Sequence, residues 1–188
     1  MMDIDLDKIP LDKIQSDAWG MMQKLLAGMV GMVPFFLTAQ TTLAGPILPG
    51  RCHMGTCWDS QFISKTVMEK TDRGTLYRIQ IAHRSWPMET EPSDNFGEPQ
   101  TNYVYCSTQK PAYIFESDGT VYAHLLNPGG DWFGYNQGDY PVYWATCHNF
   151  VGPDFFSDEM TEKARSLGYP LDLPSEQIEL TKVTDILE

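Results

Sequence analysis

Four cysteines, Cys52, Cys57, Cys106 and Cys147, constrain this chain more than any other feature. All of them lie downstream of an uncharged apolar run, Leu25 to Leu37 (LLAGMVGMVPFFL). Lys24 precedes that run and the polar, small-residue stretch TAQTTLA follows it. A positive flank, a short apolar stretch and a small-x-small site, in that order, make a secretory signal. Thr42 and Ala44 fill the two small positions, so cleavage is expected ahead of Gly45. Spanning a bilayer takes about 20 apolar residues. This run is shorter and holds Pro34, so the processed protein is not expected to be an integral membrane protein.

The segment 1–20 does not suit a signal, because it holds five aspartates against two lysines where the leading region should be positive. Met21 or Met22 opens a better one (MMQKLLAG). The expected division is therefore an N-terminal extension of the reading frame over 1–20, a signal peptide over 21–44, a disulfide-stapled β domain over 45–156, and a helix with an acidic tail over 157–188.

Exported chains form disulfides, and an even count of cysteines in such a chain implies pairing. Of the possible connectivities, Cys52 with Cys57 and Cys106 with Cys147 are preferred. The first closes a short loop over His53, Met54, Gly55 and Thr56. The second joins two strand-like runs, and closing so long a loop stabilises by roughly 4 kcal/mol in the chain-entropy account. Zinc is the rival use of Cys52-His53, Cys57 and Cys147-His148, but structural zinc sites space their paired ligands two to four residues apart. Adjacent residues rarely aim at one ion, so no metal and no cofactor is expected. A Cys-x-x-Cys redox motif is absent from the sequence.

Downstream, the pattern is that of strands and turns. Gln61 to Glu69 alternates, Thr71 to Gly74 is a turn, and Thr75 to His83 puts Tyr77, Ile79 and Ile81 on one face with Arg78 and Gln80 on the other. Ser85 to Gln100 reads as a loop. Further strands are expected at Tyr103 to Ser107, Ala112 to Glu116, Thr120 to Leu126 and Tyr140 to His148, with a tight turn at Ser117-Asp118-Gly119. Asn127 to Gly138 is a glycine-rich loop. Ser157 starts a helix whose Met160, Ala164 and Leu167 share a face and which Gly168 stops. The expected fold is mainly β: a small antiparallel sandwich or half-open barrel of about six strands with one C-terminal helix.

The run CSTQKPAYIF from Cys106, followed far downstream by ATCH at Ala145 to His148, resembles a pattern in small exported bacterial proteins of no assigned function. The resemblance covers Cys52 to His148. It implies export and paired cysteines, and carries over no catalytic residue.

A formal net charge of -12 removes the basic footprint that grips phosphate backbones, so nucleic acid is not expected as a partner. The most distinctive stretch is NPGGDWFGYNQGDYP, Asn127 to Pro141. There Asp131, Trp132, Phe133, Tyr135, Asn136 and Tyr140 mix aromatic faces with amides and carboxylates, which suits a sugar or a protein surface. The alternative is that these aromatics fold back over the sheet. His53, His83, His124 and His148 are the possible proton-transfer groups, and Asp131, Asp139, Glu116 and Asp118 the possible paired carboxylates. Arg78 and Arg84 could meet an anion. Trp86 with Glu89, Glu91, Asp94 and Glu98 makes an acidic loop that could plug a basic cleft. No Gly-x-Ser-x-Gly elbow and no His-Glu-x-x-His helix is present.

The function expected is therefore a periplasmic or secreted, non-enzymatic binding or envelope-accessory protein. It would contact an envelope protein or polysaccharide through Asp131, Trp132, Phe133, Tyr135, Asn136 and Tyr140. The alternatives are a secreted hydrolase using His148 or His124 with an Asp, and a purely structural envelope component.

Overall fold

The order of the strands in space is their order in the sequence. β1 (Ile47–His53), β2 (Thr56–Lys70), β3 (Thr75–Pro87), β4 (Gln100–Cys106), β5 (Ala112–Ser117), β6 (Thr120–Leu125) and β7 (Gln177–Leu180) form one open, seven-stranded antiparallel sheet. Two α-helices, α1 (Asp139–His148) and α2 (Asp158–Ser166), lie in the chain between β6 and β7, and a 3-10 turn over Val183–Leu187 follows β7. This computed structural model describes residues 45–130, 134–152 and 154–188. The expected extension and signal over 1–44 lie outside the described residues, as do Asp131, Trp132 and Phe133.

Local chemistry sets the meander. Asp118 and Gly119 both have positive φ (51° and 78°), as do Met54 and Gly55 (49° and 82°), and two such residues make the turn whose twist matches a hairpin. The Thr71–Gly74 turn forms as expected: the Thr71 amide donates to the Gly74 carbonyl at 2.9 Å. Strand alternation then sorts side chains between the faces. Tyr77, Ile79 and Ile81 do share a face; with Leu48, Val104, Tyr113, Tyr143 and Trp144 they make the larger core, beneath α1. Leu76, Tyr105, Ala112, Ile114, Ala123, Leu125 and Ile186 make a second core on the opposite face, under the 3-10 turn.

The β-rich class holds, and three local expectations are corrected. Tyr140 to His148 is the helix α1 and not a strand. Tyr140 through Thr146 are all buried, so no polar stripe betrays the helical period, and aromatic content imitates a strand. The periodicity is visible in retrospect, because Tyr140, Tyr143, Trp144 and Cys147 follow helical spacing. Asn149, in the left-handed region at φ 51°, ends the helix with its amide on the Trp144 carbonyl. The second correction is to the number of helices among the described residues: α2 has the expected Ser157 start and Gly168 stop (φ 88°) but follows α1 as a second helix, and Leu167 is exposed at its end. The third concerns the ends of the sheet. The Pro- and Gly-marked lead-in is β1, and the acidic tail contributes β7, whose Gln177–Leu180 pairs with His124–Val121 of β6.

Both preferred disulfides are present. Cys52–Cys57 closes the β1–β2 hairpin, and Cys106–Cys147 ties the end of β4 to α1, so it joins strand to helix rather than strand to strand. Among the described residues no helix is long and apolar enough to cross a membrane.

Candidate functional site

On the face of the sheet that carries α1, inward positions on successive strands are polar where alternation calls for apolar residues. Ser60 is on β2, His83 on β3, Asn102 on β4, Tyr113 on β5 and His124 on β6. A strand residue beside a buried neighbour must satisfy its polar atoms within the protein, and these do so in pairs. Ser60 Oγ and His83 Nδ1 are 2.8 Å apart. Asn102 donates from Nδ2 to Tyr113 Oη at 2.7 Å. His124 donates from Nδ1 to Asp139 Oδ2 of α1 at 2.6 Å and from Nε2 to Gln177 Oε1 of β7 at 2.9 Å.

His83, Asn102, Tyr113, His124 and Asp139 line an open hollow of about 250 Å³ together with Phe115, Gln100 and Glu116. Two aromatic rings flank the imidazole edge-on: Phe115 at 4.9 Å and Tyr135, half exposed, at 5.0 Å. The glycine-rich loop thus reaches the rim of the hollow through Tyr135. Arg51 holds that loop by donating to the Gly134 carbonyl at 2.6 Å, its guanidinium lying over the Trp58 ring.

The protonation states follow from the surroundings. Burial alone would push the His124 imidazole down, but the hydrogen bond and charge of Asp139, with Gln177, outweigh it and hold His124 above its ordinary value. Burial raises the Asp139 carboxyl, and its bond to His124 only partly offsets that. His83 has no carboxylate, so burial pushes it down and leaves a neutral ring. Burial and the Asp139 charge push the Tyr113 phenol well above its usual range, and the hydrogen bond from Asn102 only partly offsets them.

This geometry bears on each sequence candidate. A general base of the serine-hydrolase kind needs a ring nitrogen aimed at a nucleophile. Both His124 nitrogens are engaged, with Asp139 Oδ2 and Gln177 Oε1, and neither is aimed at a nucleophile. His148 is spent elsewhere: its Nε2 donates to Tyr169 Oη (2.7 Å), Tyr169 to Tyr143 Oη (2.7 Å), and Tyr143 to the Ser107 carbonyl (3.1 Å). Burial pushes the Tyr169 phenol to about 12 and lowers His148, so this relay is a chain of neutral donors. His53 is exposed at the β1–β2 turn and Asp118 at the β5–β6 turn. Of the carboxylates weighed from sequence, Asp139 and Glu116 meet in the hollow.

Of the three described candidates in the aromatic loop, Tyr135, Asn136 and Tyr140, Tyr135 is the one presented at the surface. Asn136 is buried, donating from Nδ2 to the Leu125 carbonyl and to Ser175 Oγ, and Tyr140 is buried with its hydroxyl accepting the Asn127 amide. Both face inward and hold the loop to the sheet. Arg84 makes a two-pronged ion pair with Asp59 at 2.8 and 2.9 Å, and its guanidinium lies over Trp86 and Phe96. It also donates to the Ser93 carbonyl, so the acidic loop is pinned against the sheet.

Ser60, Asn102 and Gln177 were not singled out from sequence. The signal for Asn102 was there: it alternates inward with Val104, and a polar residue at a core position is the informative exception. Among the described residues no cluster of three or more His, Cys, Asp or Glu could hold a metal ion. No protein-family model, curated protein or solved structure matches this chain.

Proposed function

We propose that the protein is an exported, non-enzymatic binding module that takes one sugar unit of an envelope or surface polysaccharide in the hollow on the α1 face. One observation carries this reading. The hollow sets amide, hydroxyl, imidazole and carboxylate groups beside the rings of Phe115 and Tyr135. A sugar offers hydroxyls and apolar C–H patches together, and that mixture matches this lining. A protein partner would need roughly 800 Å² per side for a stable complex, far more than a hollow of this size supplies. The two formed disulfides support an oxidising compartment, periplasmic or secreted.

The test is binding of the oxidised full chain to immobilised envelope polysaccharide and to a glycan array. Gln100→Ala and the double substitution Trp132→Ala with Tyr135→Ala are each expected to weaken retention by on the order of tenfold, with the thermal midpoint nearly unchanged. Retention equal to the parent's in both variants would refute the hollow as the binding site. The His124–Asp139 pair favours a second reading, a secreted hydrolase. Turnover of an ester or glycoside that disappears in His124→Gln, with polysaccharide retention intact, would establish that reading over the first.

A further inference from the structure

The stapled end of the β1–β2 hairpin carries a side-chain set that neither the fold nor the hollow uses. The turn consists of Met54 and Gly55, closed by Cys52–Cys57 with Cα atoms 3.9 Å apart. His53 opens the turn and is exposed. On the other side the Met88 amide donates to the Gly55 carbonyl at 2.9 Å, continuing the register that sets Thr56 against Pro87. Met54 is 89% exposed and Met88 52% exposed.

Methionine is an expensive choice for this turn. A left-handed first residue favours Asn, Asp or Gly, because a longer side chain is strained there, and Met54 sits at φ 49°. It also leaves a flexible apolar side chain in water. Asparagine would remove both costs, so the thioether itself is the feature to explain.

We propose that His53, Met54 and Met88 form a binding site for a soft monovalent metal ion, Cu(I) or its congener Ag(I). Two thioether sulfurs and an imidazole nitrogen are a donor set that selects such ions over Zn(II), Mg(II) or Ca(II). Neighbouring strands lie about 5 Å apart, a distance that two methionine side chains with three rotatable bonds each can span. The cysteine sulfurs are bonded to each other and do not compete as thiolates. The staple fixes the turn, so that the donors on either side of Gly55 stay close together.

The experiment is a titration of the oxidised full chain with Ag(I) in chloride-free buffer, followed by NMR of carbon-13 methionine methyl groups. Ag(I) needs no reductant, so the disulfides stay intact. The chain has ten methionines, and single Met→Leu variants assign their signals. The expected result is that the Met54 and Met88 methyl signals shift together and saturate at one equivalent. Met54→Leu and Met88→Leu should each weaken binding by on the order of tenfold or more, and Met68→Leu, exposed on β2, should leave it unchanged. Met54→Asn should abolish the shift at Met88 while the disulfides persist. The proposal is overturned if Met54 and Met88 shift no more than Met68, or if Met54→Asn binds as tightly as the parent.

Discussion

On the α1 face of the sheet, the buried Ile79, Ile81 and Val104 sit beside the buried Ser60 and Asn102 and the part-buried His124–Asp139 pair. On the opposite face, Leu76, Ala112, Ile114, Ala123, Leu125 and Ile186 bury aliphatic side chains, and Tyr105 alone of that buried cluster carries a polar atom. The same strands build both faces, so the difference lies in what each inward position was given. A core that only has to hold the fold gains little from polar groups, since a satisfied hydrogen bond contributes only about 1 kcal/mol net and an unsatisfied one costs more. The α1 face keeps several and satisfies them with one another. The α1 face thus holds the polar groups that the proposed sugar site would use.

The largest effect expected on this contrast comes from the staple that belongs to the α1 face. Replacing Cys106 and Cys147 by Ser releases a 41-residue separation and should cost about 4 kcal/mol in the chain-entropy account, against about 2 kcal/mol for Cys52 and Cys57, which are 5 apart. Urea unfolding without reductant measures both, and equal losses would remove the distinction. Next comes the opposite face: Ile114→Ala should cost about 3 kcal/mol, with little dependence on pH, because the loss is of apolar packing and not of a charge.

Asp139→Asn should cost about 2 kcal/mol near neutral pH by leaving the part-buried imidazole half satisfied. Unlike Ile114→Ala, its cost should vary with pH. The folded-state value of His124 is raised above 6.5, so the stability it contributes is complete below 6.5 and is lost as pH rises through the raised value. The cost of Asp139→Asn should therefore shrink on going from slightly acid to alkaline buffer. His83 and His148 are lowered and run the other way, losing stability as pH falls below 6.5. Both are present in parent and variant, so their contributions cancel in the difference. A flat profile would mean that His124 is neutral and free to act as a base. The smallest effect is at the far end of α1, where Lys65 donates to the Thr146 carbonyl at 2.6 Å and to Asn149 Oδ1 at 2.7 Å. Lys65→Met should cost about 1 kcal/mol by uncapping that helix end, read from the thermal midpoint.

Much of the sheet was legible in the sequence, because strand alternation and turn chemistry act over a few residues. Tyr77, Ile79 and Ile81 announce β3, Asp118-Gly119 announces the β5–β6 turn, and Ser157 and Gly168 bound α2. The two disulfide pairings could be preferred from spacing alone. β7 was not legible, because Gln177-Ile-Glu-Leu180 is short, lies in an acidic tail, and becomes a strand only by pairing with the exposed edge of β6. Helix α1 was misread because burial on all sides erases the polar stripe on which periodicity depends. The candidate site was legible in pieces: His83, His124, Asp139 and Glu116 could each be named, but not their company.

What the sequence determined by itself is local: an antiparallel, turn-punctuated β chain with paired cysteines and a net charge of -12. The tertiary structure alone decided that Cys147 lies on a helix, that Asn136 and Tyr140 face inward while Tyr135 reaches the rim, and that Asp139 meets His124. Each of these depends on α1 folding back over β4 and β5. A contact between residues that far apart in the chain is set by the packing of whole faces, which no short window of sequence contains.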